Sequence, residues 1–179
     1  MPELLETARI KLRALEPEDV ELLYRWENDP EIWGVSDTLL PFSRQTLRRF
    51  IEEQAYDIYR TRQTRFIVET AGEPSRRPVG AIDLFDFDPY HLRAGVGILI
   101  YGREDRGKGY AADAVELLAE YGFRVLGLHQ LHCNIPADNA ASIALFEKCG
   151  FRLCGTKREW LRTETGWRDE LIYQRLRDQ

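Results

Sequence analysis

Polar and apolar residues alternate from Ala8 to Ala14 (Ala-Arg-Ile-Lys-Leu-Arg-Ala), the two-residue period of a half-buried strand. Glu16-Pro17-Glu18-Asp19 then places proline and carboxylates at a helix start, with Val20, Leu23 and Tyr24 as its buried stripe. Asn28-Asp29-Pro30 stops that helix. Ser43 caps a second one, whose Leu47, Phe50, Ile51 and Ile58 recur at helical spacing, and an acidic, aromatic connection joins the two. Arg65 to Glu69 and Val79 to Phe85 read as strands around a Gly/Pro/Ser turn, and Ala94 to Tyr101 as a third, which together predict an antiparallel meander. Ala111, Ala114, Val115, Leu118 and Val125 trace one face of a long helix from Gly109 to Leu126, after which Gln130 to Pro136 reads as a strand. A short helix, Asn139 to Lys148, ends at Gly150. A hairpin follows, Phe151 to Trp160 and Trp167 to Arg175, turned at Thr165-Gly166. The pattern holds no repeat or linker, so residues 1–179 form one domain.

Composition narrows the function classes. The chain has 179 residues and a net charge of -5, which opposes a nucleic-acid surface and favours a cationic partner. No stretch approaches the roughly 20 apolar residues of a membrane span, and Met1-Pro2-Glu3-Leu4-Leu5-Glu6 is unlike a signal peptide, so no membrane partner and a cytoplasmic location are expected. Cys133, Cys149 and Cys154 are odd in number and lack metal-ligand spacing, which predicts reduced thiols and no metal site.

The strongest chemical signal is Arg106-Gly107-Lys108-Gly109-Tyr110-Ala111, between an apolar strand and a long helix. Free N–H groups and the helix dipole favour an anion there, the glycines let those amides approach closely, and Arg106 and Lys108 add positive charge. The segment lacks the Gly-x4-Gly-Lys-Ser/Thr of a Walker loop and the Gly-x-Gly-x-x-Gly of a dinucleotide fingerprint.

This loop resembles the Gln/Arg-x-x-Gly-x-Gly/Ala pyrophosphate loop of the GCN5-related N-acetyltransferases. Asn139-Ala140-Ala141-Ser142 leading to Gly150-Phe151 resembles the family's Asn-x-x-Ser/Ala helix with its Gly-Phe end. The resemblance covers nearly the whole chain and is nearest to the spermidine and ribosomal-protein N-terminal acetyltransferase branches. It implies a mixed α/β (α+β) domain: a mostly antiparallel twisted sheet with one splayed parallel strand pair and about four flanking helices. It further implies acetyl-CoA as cosubstrate, its pantetheine arm lying along Ile98, Leu99 and Ile100 and its pyrophosphate on Arg106 to Ala111. Asn139 would bond the arm, Ser142 would approach the phosphates or the sulfur, and Phe146 would border the thioester. Phe146 stands where spermidine acetyltransferases carry a proton-donating Tyr, leaving Ser142, a water, Tyr110 or Tyr173 for that role. Gly95 likewise replaces an acidic residue of that branch.

An alkylamine acceptor, pKa about 10.4, arrives protonated and needs a base or a water chain. Asp83 and Asp86 are the leading candidates for binding the cation and relaying its proton; strand alternation sets them on opposite faces unless a bulge intervenes. His91 ranks after them, and His129 and His132 after His91. Glu27, Asp29, Glu31 and Asp37 with Trp26 and Trp33 can hold a cationic amine by charge and cation–π contact, Glu27 and Trp33 being named as substrate contacts. The expected activity is acetyl transfer to a small amine or polyamine. The rival readings are a peptide N-terminal amine as acceptor and a noncatalytic acyl-CoA-binding module. Trp160 and Trp167 are placed on a sheet edge, where a homodimer contact is one reading.

Overall fold

A computed structural model describes residues 2–36, 39–72 and 75–177. Its elements run β1 (Ile10–Ala14), α1 (Val20–Glu27), α2 (Pro30–Ser36), α3 (Arg44–Glu53), α4 (Ile58–Thr61), β2 (Thr64–Thr70), β3 (Pro78–Asp88), β4 (Arg93–Ile100), α5 (Tyr110–Arg124), β5 (Gln130–Pro136), α6 (Ala140–Lys148), β6 (Arg152–Thr163) and β7 (Gly166–Leu176). The strands form one sheet in the order β1-β2-β3-β4-β5-β7-β6, every neighbouring pair antiparallel except β4–β5. That pair is joined at three positions only, Arg93–Gln130, Ala94–Leu131 and Gly95–His132. Beyond Gly95 the two strands part, giving the splayed pair that the resemblance implies.

Period-two alternation assigns each strand's two faces. Val68, Ile82, Leu84, Val96 and Leu131 pack under Ala114, Val115 and Leu118 of α5 in the main core. Ile67 faces the other way and meets Val20 and Leu23 of α1 and Leu47 and Ile51 of α3. A buried aliphatic side chain contributes about 1.5–3 kcal/mol, so slipping β2 by one residue would forfeit both clusters at once.

Two expectations fail at helix boundaries. The connection after α1 is itself helical: Asn28 turns its side chain back to the Tyr24 carbonyl at 3.0 Å, and Pro30 opens α2. Ile58 does not extend the Ser43-capped helix, because α3 ends at Glu53 and Asp57 caps the separate α4 through the N–H groups of Tyr59 and Arg60. The described residues therefore hold six α-helices where about four were expected, and none is long and apolar enough to cross a membrane. All three cysteines are free, Cys133 and Cys149 buried and Cys154 exposed.

Candidate active site

Three segments converge above the point where β4 and β5 part: Ile98–Ile100 of β4, the Arg106–Ala111 loop opening α5, and Asn139, Ala141, Ser142 and Leu145 at the start of α6. They enclose a cleft of about 900 Å³, with Glu31 and Ile32 of α2 completing the wall. β4 is paired to β3 on one edge through Ala81–Leu99 and Ile82–Ile98, whereas its edge toward β5 has no strand partner above Gly95. Extended backbone without a partner strand can bond a ligand's own amides. At the top of the cleft Gly107 (φ +76°) and Gly109 (φ +86°) take left-handed conformations, and α5 begins directly after Gly109. The unpaired N–H groups of its first turn, with the helix dipole behind them, have the chemistry that favours an anion.

The loop's cations already have partners within the protein. Arg106 spends its guanidinium on the carbonyls of Ile100 and Tyr101, both at 3.2 Å, which fixes the loop to the end of β4. Lys108 lies 3.3 Å from Asp105, a buried carboxylate that Arg77 also grips at 2.7 Å. Arg77 first and Lys108 second hold the Asp105 carboxyl below its ordinary range. A cation absent from the sequence reading is Arg9: a Cβ on Gly109 would stand 2.6 Å from its guanidinium, which Asp113 anchors at 2.7 Å. Nothing in the local pattern around Arg9 signals that placement.

On α6, Asn139 accepts the Ser142 N–H at 3.1 Å, so it caps the helix while lining the cleft beside Ser142. Phe146 does not border the cleft. It is 4% exposed and packs edge-on against Phe151 at 5.0 Å, because the cleft face of α6 is centred on Ala141, Leu145 and Lys148 and the helical period carries Phe146 past its edge toward the core. Tyr173 is also buried, donating its hydroxyl to Glu147 at 3.0 Å, whereas Tyr110 lies on the cleft wall.

The sheet face away from α5 carries the rest of the expected machinery. Arg65 clamps Asp83 through two bonds of 2.6 and 2.9 Å and also bonds Glu27 of α1. Both carboxylates are therefore already paired with Arg65, so the proton-relay role expected of Asp83 and the substrate contact expected of Glu27 would be exercised from within that cluster. Burial opposes the charge of Arg65, but Asp83 and Glu27 outweigh it and raise its pKa. The register shift between Phe85 and Asp88 is a bulge, with exposed Asp86 inside it at φ +49°, so the strict alternation that separated Asp83 from Asp86 does not reach Asp86. Trp33 gives its indole N–H to the Glu27 carbonyl at 2.9 Å, Asp29 accepts the Glu31 N–H at 2.9 Å, and Glu31 pairs with Arg103 at 2.9 Å. Much of the acidic, aromatic segment is thus a structural joint, to which Trp26 adds a stack on Tyr101 at 4.8 Å. Asp37 lies outside the described residues.

Phe85 covers Gly95 so closely that a Cβ there would stand 2.4 Å from its ring, and on the other side of Gly95 His132 meets the same ring edge-on at 6.3 Å. Burial lowers the His132 pKa below 6.5; Asp86 opposes the shift, and Arg93 and Lys157 reinforce it. His91, ranked above His132 by sequence, instead sits in an exposed turn with its N–H on Asp88.

Comparison with known proteins gives consistent matches. The acetyltransferase (GNAT) domain family matches residues 9–152. Spermidine N(1)-acetyltransferase of Escherichia coli K12 is 31% identical over 149 residues, spanning 82% of this chain and 74% of the relative. An uncharacterized N-acetyltransferase, p20 of Bacillus licheniformis, is 30% identical over 88% of this chain and 87% of its own. The crystal structure of spermidine N-acetyltransferase from Vibrio cholerae in complex with CoA and spermine superimposes with a TM-score of 0.83 at 25% identity, covering 96% and 97% of the two chains.

Proposed function

The chain belongs to the GNAT acetyltransferase family and is an acetyl-CoA-dependent N-acetyltransferase, and we propose that its acceptor is the primary amine of a polyamine. The observation that carries this reading is the anionic face beside the parting strands: Glu27, Asp83 and Asp86 outnumber the Arg65 guanidinium on it. A polycation would be drawn there by the residual charge, without requiring any one carboxylate to be unpaired. The polyamine activities of the relatives and the net charge of -5 point the same way.

On the donor side, the amides after Gly109 would hold the pyrophosphate, the unpaired edge of Ile98–Ile100 the pantetheine arm, and Asn139 and Ser142 the far wall. These residues bind and orient; acetyl-CoA supplies the activated acetyl group. Ser142 or Tyr110, both on the wall, would return a proton to the departing sulfur. The exposed Leu153, Trp160 and Trp167 of the β6–β7 hairpin supply a surface for self-association.

The test is CoA-thiol release across spermidine, spermine, putrescine, amino acids, aminoglycosides and peptides with free N-termini. We expect kcat/KM for spermidine or spermine to exceed that for every peptide by at least about tenfold, a gap that narrows with added salt. A peptide that outperforms both polyamines would overturn the acceptor assignment.

A further inference from the structure

We infer that His132 is the catalytic proton acceptor for the amine, placed at the vertex where β4 and β5 separate. This rests on the N-acetyltransferase reading and assigns a role to a residue outside both sequence motifs.

The first argument is position. The cleft is lined on β4 by Ile98, Leu99 and Ile100, and Gly95–His132, the last β4–β5 pair, lies three residues farther down that strand. Five residues of strand separate Ile100 from Gly95, roughly 17 Å at the ordinary rise, so an extended arm entering at the loop is directed toward that vertex. Paired residues of a parallel ladder share a face, so His132 projects on the same side as Gly95, Phe85 and Asp83, away from α5. On that side of β4 the ring of Phe85 lies over Gly95 and reaches Gly97, neither of which carries a side chain. Phe85 fills the space over Gly95 and meets the imidazole edge-on, walling it on one flank with an apolar ring.

The second argument is availability. Asp83 and Glu27 are committed to Arg65, whereas the His132 side chain makes no hydrogen bond in the described structure. The charged groups acting on it are Asp86 from β3, Arg93 from β4 and Lys157 from β6; Arg93 is itself paired with Asp88, and Lys157 with Glu170. Burial lowers the imidazole pKa from the ordinary 6.5 and so favours the neutral ring, the form that accepts a proton. At that pH roughly one alkylamine in a few thousand is unprotonated, which is the deficit a positioned base removes.

The step balances as follows. The ammonium gives one proton to the imidazole, which passes it to solvent. The freed nitrogen bonds to the acetyl carbon as the carbon–sulfur bond breaks, and the second proton of that nitrogen ends on the sulfur as CoA thiol.

Three measurements test the assignment. His132→Gln should lower kcat/KM for the preferred amine by about 100-fold, within the 10² to 10⁴ usual for a lost general base, with little change in acetyl-CoA affinity. The parent profile should rise through a group titrating below pH 6.5 and then flatten, whereas the variant should keep climbing through pH 9 because only free amine reacts. The deficit should shrink toward unity for an amine of low pKa such as trifluoroethylamine, a result that a merely structural histidine would not give. An unaltered pH profile in His132→Gln overturns the role, and so does a loss equal for high- and low-pKa amines. Should no amine be accepted, the acceptor reading fails separately, and the imidazole nitrogen resonances of the parent protein still decide the placement: they should shift when a thioether analogue of acetyl-CoA binds, and their indifference to it overturns the inference.

Discussion

The cleft proposed for the donor and the face proposed for the acceptor lie along neighbouring strands, β4 and β3, yet they are built by opposite means. The cleft relies on backbone: left-handed Gly107 and Gly109, the open edge of β4 and the first turn of α5. Its nearby charges, Arg106 and Lys108, are paired within the loop and its flanks. The acceptor face relies on side chains, and its chemistry depends on which are already paired, as in Glu27–Arg65–Asp83, drawn from α1, β2 and β3. A backbone site is specified by a short contiguous segment. A side-chain site is specified only once distant segments meet.

The largest effect should come from breaking the side-chain half. Arg65→Met keeps the stem but leaves Glu27 and Asp83 as neighbouring, largely desolvated carboxylates. Removing one partner from such a cluster costs about 3 kcal/mol or more, read as a shift in the denaturant midpoint with unchanged slope. Asp83→Asn added to Arg65→Met should recover part of the loss. A deficit under 0.5 kcal/mol at pH 7 would mean that the triad is solvated and lies open to an acceptor.

Breaking the backbone half should leave stability less affected and binding more so. Gly109→Val forces a β-branched residue to φ +86° and drives its Cβ toward the Arg9 guanidinium. The loop must shift, misaligning the amides that follow. We expect acetyl-CoA affinity by calorimetry to fall about 100-fold, equivalent to about 2.7 kcal/mol. Affinity within threefold of the parent would show that charge, not amide geometry, holds the pyrophosphate.

The same contrast explains what could be read before folding. Arg106 to Ala111 and Asn139 to Gly150 carry glycines, a cap and helical period in unbroken runs, and they line the cleft together. The boundaries missed were tertiary or capping effects: Asp57 restarts a helix at Ile58, and Pro30 starts one where it was read only as a stop. Asp83 looked free because its partner is 18 residues away, and Arg9 was silent because Asp113 is 104 away. Phe146 was assigned by resemblance alone, although the period that places Ala141, Leu145 and Lys148 on the cleft turns it inward. His132 ranked with His129 below His91 because its setting depends on the register of β5 against β4 and on a ring from β3.

The smallest effect is expected where the two halves touch across the cleft mouth. Arg103, after β4, pairs with Glu31 of α2 at 2.9 Å, and both line the cleft. Their side chains are 76% and 63% exposed. An ion pair so solvated contributes between 0 and about 1 kcal/mol and is screened at physiological salt. Arg103→Ala should therefore change the KM for acetyl-CoA less than about threefold, leave the polyamine preference intact and barely move the melting temperature. A tenfold or larger change that disappears in high salt would show instead that the Glu31–Arg103 bridge controls entry, and that donor and acceptor halves are coupled through α2.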